Sequence, residues 1–298
     1  GYSHLKVIDK QFEMARRFGI TVNAQIYNHY RFIRKCRKKG IEVPDCIMKN
    51  YMPRINKVTR KTPDYMLSCA QDFRRGYNGF QQHIWQATFA DDALVFTNHP
   101  GTLGEGDGRP DYRAGNDILP RAAQYEDTVI CIYDIPKDTK YQFITPYSPT
   151  QFTHAYFPKD KFDETCEACG WILARKGDGY VALHSQNGYR WNGTDDVICD
   201  AGQNIWICHT GRKSVYGDFQ TFIYEVIKSG INFDGLNVEC DTPNGIKLRF
   251  GWSGPLTAEG AEVNLSGYKR YDNPYCVADY FSGEYTISDS ISSLKINP

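Results

Sequence analysis

From about Lys57 onward, the apolar residues of this chain recur at every second position, in short runs separated by Gly, Pro, Asn and Asp. That period belongs to β-strands, whose side chains point to alternate faces of a sheet. Regular short strands of this kind are typical of two packed antiparallel sheets. The sequence therefore predicts a mainly β fold, a large antiparallel β-sandwich over residues 63–298. The predicted strands cover residues 65–73, 84–89, 94–98, 128–134, 142–145, 170–175, 180–185, 205–210, 236–240, 246–252 and 285–287.

Residues 1–62 follow a helical pattern instead. Spacings of three and four residues place one apolar stripe on an amphipathic helix that ends near Gly19: Tyr2, Leu5, Ile8, Phe12, Ala15 and Phe18. A second helix is predicted over residues 24–39, so a short α-helical segment precedes the sandwich. Within the β region one further helix is predicted over Asp218–Lys228, with an acidic start. The stretch Lys176–Gly179 predicts a tight turn between two strands.

Composition narrows the classes of function. Lys+Arg and Asp+Glu both count 35 among the 298 residues, and this balance argues against a general nucleic-acid binder or a protein of anionic membrane surfaces. Aromatic residues make up 14% of the chain, with 21 Tyr, which fits strand-rich folds and surfaces that stack on sugars. No apolar run approaches the roughly 18 residues of a membrane span. Secreted, periplasmic and cytoplasmic locations all stay open.

The ten cysteines have no framework spacing, and we interpret most of them as core thiols. Cys166 and Cys169 form the one CxxC motif. A structural zinc site would need a second pair at similar spacing, which the sequence lacks.

The best site candidate is the stretch 78–101, which places aromatic, amide and histidine residues on one predicted hairpin with a short polar link near Ala90–Asp92. A three-residue loop would put His83 directly opposite His99, roughly 5 Å apart at Cβ, in reach of a shared divalent metal, Zn or Ca. A two- or four-residue loop would send the two histidines to opposite faces and would collect Trp85 and four other apolar residues on one face. The hydrophobic pattern favours this second register.

A long glycine-rich loop over residues 100–117 follows the hairpin. Loops of this length in compact domains are usually functional or disordered. The loop precedes no helix and carries acids, so it is no phosphate cradle. Five acidic residues of the loop and the hairpin could bind calcium, but they lack the spacing of an EF-hand: Asp91, Asp92, Glu105, Asp107 and Asp111. Beyond them, Tyr112, Arg113, Asn116 and Arg121 supply groups that a carboxylated sugar requires.

Three short motifs carry a resemblance to a known family: His83-Ile-Trp, His99-Pro-Gly and Glu126-Asp-Thr-Val129. Together with helices followed by a large β region, they make the chain resemble the C-terminal half of the heparinase II/III-like polysaccharide lyases. The resemblance covers residues 60–135 and implies the end of an (α/α) toroid packed on a β-sandwich, with elimination across uronic-acid linkages. It matches His83 to a metal-binding or catalytic histidine, whereas His99 stands where the family has an aspartate ligand. The expected partners are an acidic polysaccharide or oligosaccharide and a toroid domain upstream or in another chain, with no nucleic acid and no membrane.

Elimination requires donors for the uronate carboxylate and a group that moves the α-proton. We expect Arg113 to stabilise the carboxylate and His83 or Tyr112 to transfer the proton. Four further residues are predicted to bind substrate, with Trp85 stacking on a sugar face: Gln82, Trp85, Asn116 and Arg121.

Each of these residues also has a structural interpretation: His83 as a strand histidine, Trp85 as a core residue, and Arg113 as the residue that orders its acidic loop. The alternative function is a non-catalytic β-sandwich that binds polysaccharide or scaffolds an assembly.

Overall fold

A seven-stranded antiparallel sheet forms the first layer of the fold. The structure is a computed structural model, and it describes residues 55–77, 79, 81–102, 112–137, 148–279, 282 and 284–296. Side chains at alternate positions of this sheet enter a core, as the period of two predicts. In spatial order the sheet consists of β1 (Lys57–Lys61), β2 (Met66–Ala70), β3 (Trp85–Thr88), β4 (Leu94–Asn98), β7 (Thr153–Tyr156), β12 (Asp196–Cys199) and β11 (Arg190–Asn192).

A six-stranded antiparallel sheet packs against it. This second sheet consists, in spatial order, of β5 (Arg121–Tyr125), β6 (Thr128–Asp134), β13 (Gln203–Arg212), β10 (Gly179–Ser185), β9 (Trp171–Lys176) and β8 (Glu164–Ala168). The two sheets share one apolar core, in which Leu67, Trp85 and Val95 of the first sheet meet Cys131 and Trp206 of the second. The predicted mainly β sandwich is thus confirmed.

A third layer covers the other face of the six-stranded sheet. It combines two helices with a five-stranded sheet over a second apolar core, to which Ile130, Leu173 and Ile207 of the six-stranded sheet contribute. The layer consists of α1 (Lys213–Tyr216), α2 (Phe219–Lys228), β14 (Ile231–Asp234), β15 (Asn237–Asp241), β16 (Lys247–Gly251), β17 (Leu256–Ala258) and β18 (Ala261–Val263). A 3₁₀ turn over Lys159–Lys161 and two hairpins complete the elements: β19 (Tyr271–Asn273) with β20 (Cys276–Ala278), and β21 (Tyr285–Ser288) with β22 (Ser293–Ile296).

Helix α2 lies where the sequence predicts it. The Asp218 carboxylate accepts a hydrogen bond from the Thr221 amide at 2.7 Å and so caps the first turn. Phe219, Phe222 and Val226 form the buried stripe that packs on the six-stranded sheet. None of the helices among the described residues has the length and apolar character needed to span a membrane.

The hairpin predicted within residues 78–101, formed by β3 and β4, adopts the register that the hydrophobic pattern disfavours. Ala87 pairs with Val95, and the Phe89 amide donates to the Ala93 carbonyl at 2.9 Å, which leaves the three-residue loop 90–92. The favoured register was wrong because the apolar residues of β4 do not share one face. Val95 enters the core, whereas Phe96 lies on the opposite face of the sheet.

The β region begins earlier than predicted. Its unit starts at Ile55, and β1 occupies Lys57–Lys61 rather than a helical segment reaching residue 62. The two predicted helices, one ending near Gly19 and one over residues 24–39, and the predicted strand over 142–145 lie outside the described residues.

The described cysteines are all free thiols, and six of the eight are buried. The prediction of core thiols is confirmed for Cys69, Cys131, Cys199, Cys208, Cys240 and Cys276. Cys169 is exposed instead, because it begins the two-residue turn between β8 and β9 with a left-handed φ of 50°.

Arg121 is a structural residue rather than part of a substrate rim. Only 3% exposed, it donates two hydrogen bonds to the Asp72 carboxylate, at 3.0 and 3.1 Å. Its remaining contacts reach the carbonyl oxygens of Gly251 and Gly254 at 2.6 and 2.7 Å, beside β16. The predicted role is wrong because the guanidinium is enclosed, and these bonds tie the five-stranded sheet to the sandwich.

Replacement of Arg121 by Met is expected to destabilise the fold strongly. The change leaves the partly exposed Asp72 carboxylate and the carbonyls of Gly251 and Gly254 without their donor, and we expect the free energy of unfolding to fall by about 2–3 kcal/mol. Urea denaturation followed by tryptophan fluorescence measures this loss. Arg75→Met is the matched control, since Arg75 faces the same Asp72 carboxylate at 3.8 Å from a partly exposed position. We expect that control to stay within about 1 kcal/mol of the parent protein, and equal losses in the two variants would contradict the assignment.

Candidate functional site

The face of the seven-stranded sheet that points away from the shared core carries the candidate site, and we call it the outer face. Pairing between strands far apart in the sequence sets its residues in rows. Phe96, Tyr156 and Asp196 form one row across β4, β7 and β12. In the next row Asn98 lies beside His154.

The segment 112–119, which begins in the last part of the glycine-rich loop, covers part of this face. The backbone of this segment comes close to the backbone at Gly79, whose amide donates to the Asp117 carbonyl at 2.8 Å. A Cβ atom added at Gly79 would lie 2.3 Å from the Asn116 carbonyl oxygen, so only glycine allows the two backbones to come so near.

A buried polar network lies under this segment. The His154 ring is enclosed, with Nδ1 2.5 Å from the Asn98 side-chain oxygen and Nε2 2.9 Å from Asp196 Oδ1. The Asn98 amide nitrogen donates to the carbonyls of Tyr112 and Gly115 at 3.0 and 2.9 Å. The network therefore joins the three neighbouring strands β4, β7 and β12 to the covering segment.

Arg113 closes the network on its exposed side. Its Nε and Nη2 donate to the two oxygens of Asp196 at 3.0 and 2.7 Å, a bidentate pair, and its guanidinium lies 4.8 Å from the centre of the Tyr156 ring. Burial works to raise the pKa of Asp196, but hydrogen bonds from His154 and Arg113 outweigh it and hold that pKa below its ordinary value. Asp196 is therefore a carboxylate, as its bonding requires.

Three side chains beside the network reach the surface, and we call them the surface cluster: His83, Arg113 and Tyr156. The exposed His83 ring packs on Phe96 with centroids 4.0 Å apart, and Phe96 stacks on Tyr156 at 5.3 Å. His83 Nε2 lies 2.7 Å from the Arg113 carbonyl oxygen. Because a carbonyl only accepts, that nitrogen carries a proton. Burial and the nearby Asp195 carboxylate raise the pKa of Tyr156.

Of the three residues predicted to be catalytic, the structure brings His83 and Arg113 together and encloses Tyr112. That side chain is 4% exposed, and its ring lies 4.9 Å from the His154 ring. Asn192 donates to the Tyr112 hydroxyl at 3.4 Å, and burial raises the pKa of this phenol. Tyr112 packs the network from above and does not present its hydroxyl to a substrate.

Two predicted substrate-binding residues have structural roles instead. Trp85 is 1% exposed and donates its indole hydrogen to Thr97 at 2.8 Å inside the core, so its face cannot stack on a sugar. Asn116 is fully buried, where it accepts from the His99 amide at 2.9 Å and donates to the Gln82 carbonyl at 2.8 Å. Asn116 thus links its own segment to those of His99 and Gln82, and Gln82 contributes its backbone carbonyl to this link.

His99 and His83 have separate partners. The buried His99 ring accepts from the Ile118 amide at Nδ1, 3.0 Å away, and lies 2.9 Å from the Thr150 carbonyl at Nε2. Burial lowers the pKa of His99 to about 4. Within the described ranges no group of three or more His, Cys, Asp or Glu side chains is close enough to hold a metal ion, and Glu105, Asp107 and Asp111 lie outside those ranges. A divalent ion at this hairpin stays a prediction.

Sequence reasoning missed Asn98, Tyr156 and Asp196, and it singled out His154 without a motif. These residues come together because β4 pairs with β7 and β7 with β12, across wide gaps in the sequence. The one local signal is the alternation in Thr153-His-Ala-Tyr156, where buried alanine marks the core face and places His154 on the other.

Comparison with known proteins gives no relatives: no protein-family model matches the chain, and neither a curated protein nor a solved structure is similar to it.

The neutral state of His99 predicts a pH dependence of stability. In the unfolded chain the ring takes up a proton below a pKa of 6.5, whereas in the folded protein it does so only near 4. The unfolded state therefore binds more protons between these values, and stability falls as the pH drops from about 6.5 to 4, by on the order of 3 kcal/mol.

Urea denaturation at a series of pH values measures this decline, and a His99→Gln variant is expected to show a shallower one. Identical pH slopes for the two proteins would show that His99 does not supply the effect.

Proposed function

We propose that this chain is the β-sandwich part of a carbohydrate-active enzyme, a polysaccharide lyase that eliminates across uronic-acid linkages, and that its substrate lies on the outer face. One observation carries the proposal: the surface cluster presents a cation, an imidazole and a phenol together, at one place above a buried network that fixes them. The resemblance found in the sequence supports the reaction type.

Elimination removes the proton α to the uronate carboxylate, so negative charge develops on that carboxylate in the transition state. Arg113 supplies the cation. Asp196 holds its Nε and Nη2 in a fixed fork, so the guanidinium edge that remains is oriented before substrate binds, and preorganised donors stabilise developing charge most effectively.

His83 is the group that moves the proton: its ring takes it from the carbon α to the carboxylate and gives it to the glycosidic oxygen as that bond breaks and the double bond forms. Its ring is exposed, and packing on Phe96 together with the Arg113 carbonyl sets its orientation. Tyr156 is less suited to this step, because burial and Asp195 raise its pKa and disfavour the phenolate. Its ring instead supports the Arg113 guanidinium.

The outer face also has the form that an extended polymer needs. A row of mostly polar side chains crosses the sheet through Thr59, Ser68 and Gln86 to Tyr156 and Asn192. Six inter-strand spacings of about 4.8 Å make this row about 29 Å long. Hydroxyl and amide groups along such a row can hydrogen-bond to the hydroxyls of a sugar chain. The exposed Lys57 and Lys61 at the β1 end of the row are suited to bind the carboxylates of acidic sugar units.

A non-catalytic polysaccharide-binding module is the second candidate. Specific observations favour it: the bidentate bond to Asp196 already uses two nitrogens of Arg113, and Tyr112 is buried. Such a face binds a carboxylated chain without acting on it.

The test of the lyase is the product that it makes. Elimination leaves a conjugated double bond, so the protein in its native full length is expected to generate ultraviolet-absorbing ends from an acidic polysaccharide. His83→Gln keeps a donor for the Arg113 carbonyl but removes the imidazole, and we expect turnover to fall about 10²-fold or more. Arg113→Lys loses the planar fork and is expected to have a similar effect.

Arg175→Lys is the matched control for Arg113→Lys. Arg175 is exposed to the same degree, 33% against 35%, and lies against two carboxylates on the six-stranded sheet, so we expect full activity. If no acidic glycan gives the chromophore but affinity electrophoresis shows binding that Arg113→Lys weakens, the second candidate is correct. If neither signal appears, both proposals fail.

A further inference from the structure

The two ring nitrogens of His154 each face an oxygen that accepts hydrogen bonds. On the Nδ1 side the identity of the atom follows from its neighbours. The Asn98 amide group makes two contacts with backbone carbonyls, those of Tyr112 and Gly115, and only the NH₂ end can satisfy them. The amide oxygen of Asn98 must then face His154, so Nδ1 is the donor and carries a proton.

On the Nε2 side the partner is the Asp196 carboxylate, 2.9 Å away. A proton lies between these two atoms, since a bare nitrogen and an oxyanion at this distance would be two acceptors in contact. Arg113 decides which atom carries it: its cationic fork bonds to both Asp196 oxygens and keeps them ionised. The proton therefore belongs to Nε2.

The charged and titratable groups around the ring are few. Asp196 faces it from β12 and Arg113 from the covering segment, with Asp195 3.6 Å from the same guanidinium. The charges of Arg113 and His83 disfavour a positive charge on His154 and lower its pKa. The Tyr112 ring packs against the His154 imidazole. Burial lowers the pKa of His154 and outweighs the opposing hydrogen bond and charge of Asp196. The bonding geometry argues the other way, because a neutral ring would place a bare nitrogen against one of two oxygens. Loss of the proton would leave a buried pair of mutually repelling acceptors, and this repulsion favours the cation.

We propose that His154 is a doubly protonated imidazolium that bridges Asn98 and Asp196, and that it is the positioning residue that holds Arg113 and the covering segment on the outer face. Through Asn98 it fixes the Tyr112 and Gly115 carbonyls, and through Asp196 it fixes the Arg113 fork. The inference about charge rests on the hydrogen bonds alone, whereas its importance for substrate rests on the proposed function.

Nitrogen-15 NMR of the intact protein labelled at histidine tests the proposal, because nitrogen shifts separate protonated from bare ring nitrogens. At pH 7 we expect both nitrogens of His154 to be protonated. Two other histidines are internal controls with one proton each: His99 at Nε2, next to the Thr150 carbonyl, and His184 at Nδ1, next to the Gly170 carbonyl at 2.9 Å. His154→Gln assigns the signals.

Asp196→Asn is expected to move the titration midpoint of His154 down by at least about one pH unit, since it removes the opposite charge. Should that variant not fold, the spectrum of the parent protein decides alone. A bare nitrogen on His154 at pH 7 overturns the proposal, and so does a midpoint that Asp196→Asn leaves unchanged. No glycan enters this experiment, so its failure is distinct from failure of the lyase.

Discussion

The six-stranded sheet is buried on both faces, and the rest of the described structure is built against it. Along β6, Val129, Cys131 and Tyr133 enter the core shared with the seven-stranded sheet, while Ile130 and Ile132 enter the core under α2 and the five-stranded sheet. A strand in this position must be apolar at almost every residue. The central sheet consequently leaves little room for polar chemistry, which lies on the outer sheets instead.

The seven-stranded sheet shows how such chemistry is accommodated. Its core face is apolar, and its outer face holds ionisable groups that the covering segment removes from water. An isolated buried carboxylate at Asp196 would be costly, but His154 and Arg113 compensate it from two sides. The same bonds join β4, β7 and β12 to the covering segment, so the fold of this face and the arrangement of its ionisable groups depend on one set of contacts.

The sequence predicts best those elements whose signals are local. Helix α2 has its cap at Asp218 and its apolar stripe within ten residues, and β9 and β10 flank a glycine turn, so each was predicted nearly in full. The register of the β3–β4 hairpin was predicted wrongly, because Phe96 is apolar yet lies on the outer face, where His83 and Tyr156 cover it. The polar network could not be predicted from the sequence, because its residues are brought together by pairing between strands that are far apart in the sequence.

Strand β1 ends the seven-stranded sheet, since it pairs with β2 alone in the part of the chain that the structure describes. An edge strand offers backbone groups to any other strand that approaches, which invites sheets to join edge to edge and aggregate. The sequence of β1 is Lys57-Val-Thr-Arg-Lys61, in which the three cationic side chains are exposed. Two copies that met along this edge would bring like charges together, so the same lysines that border the outer face also limit how far the sheet can grow.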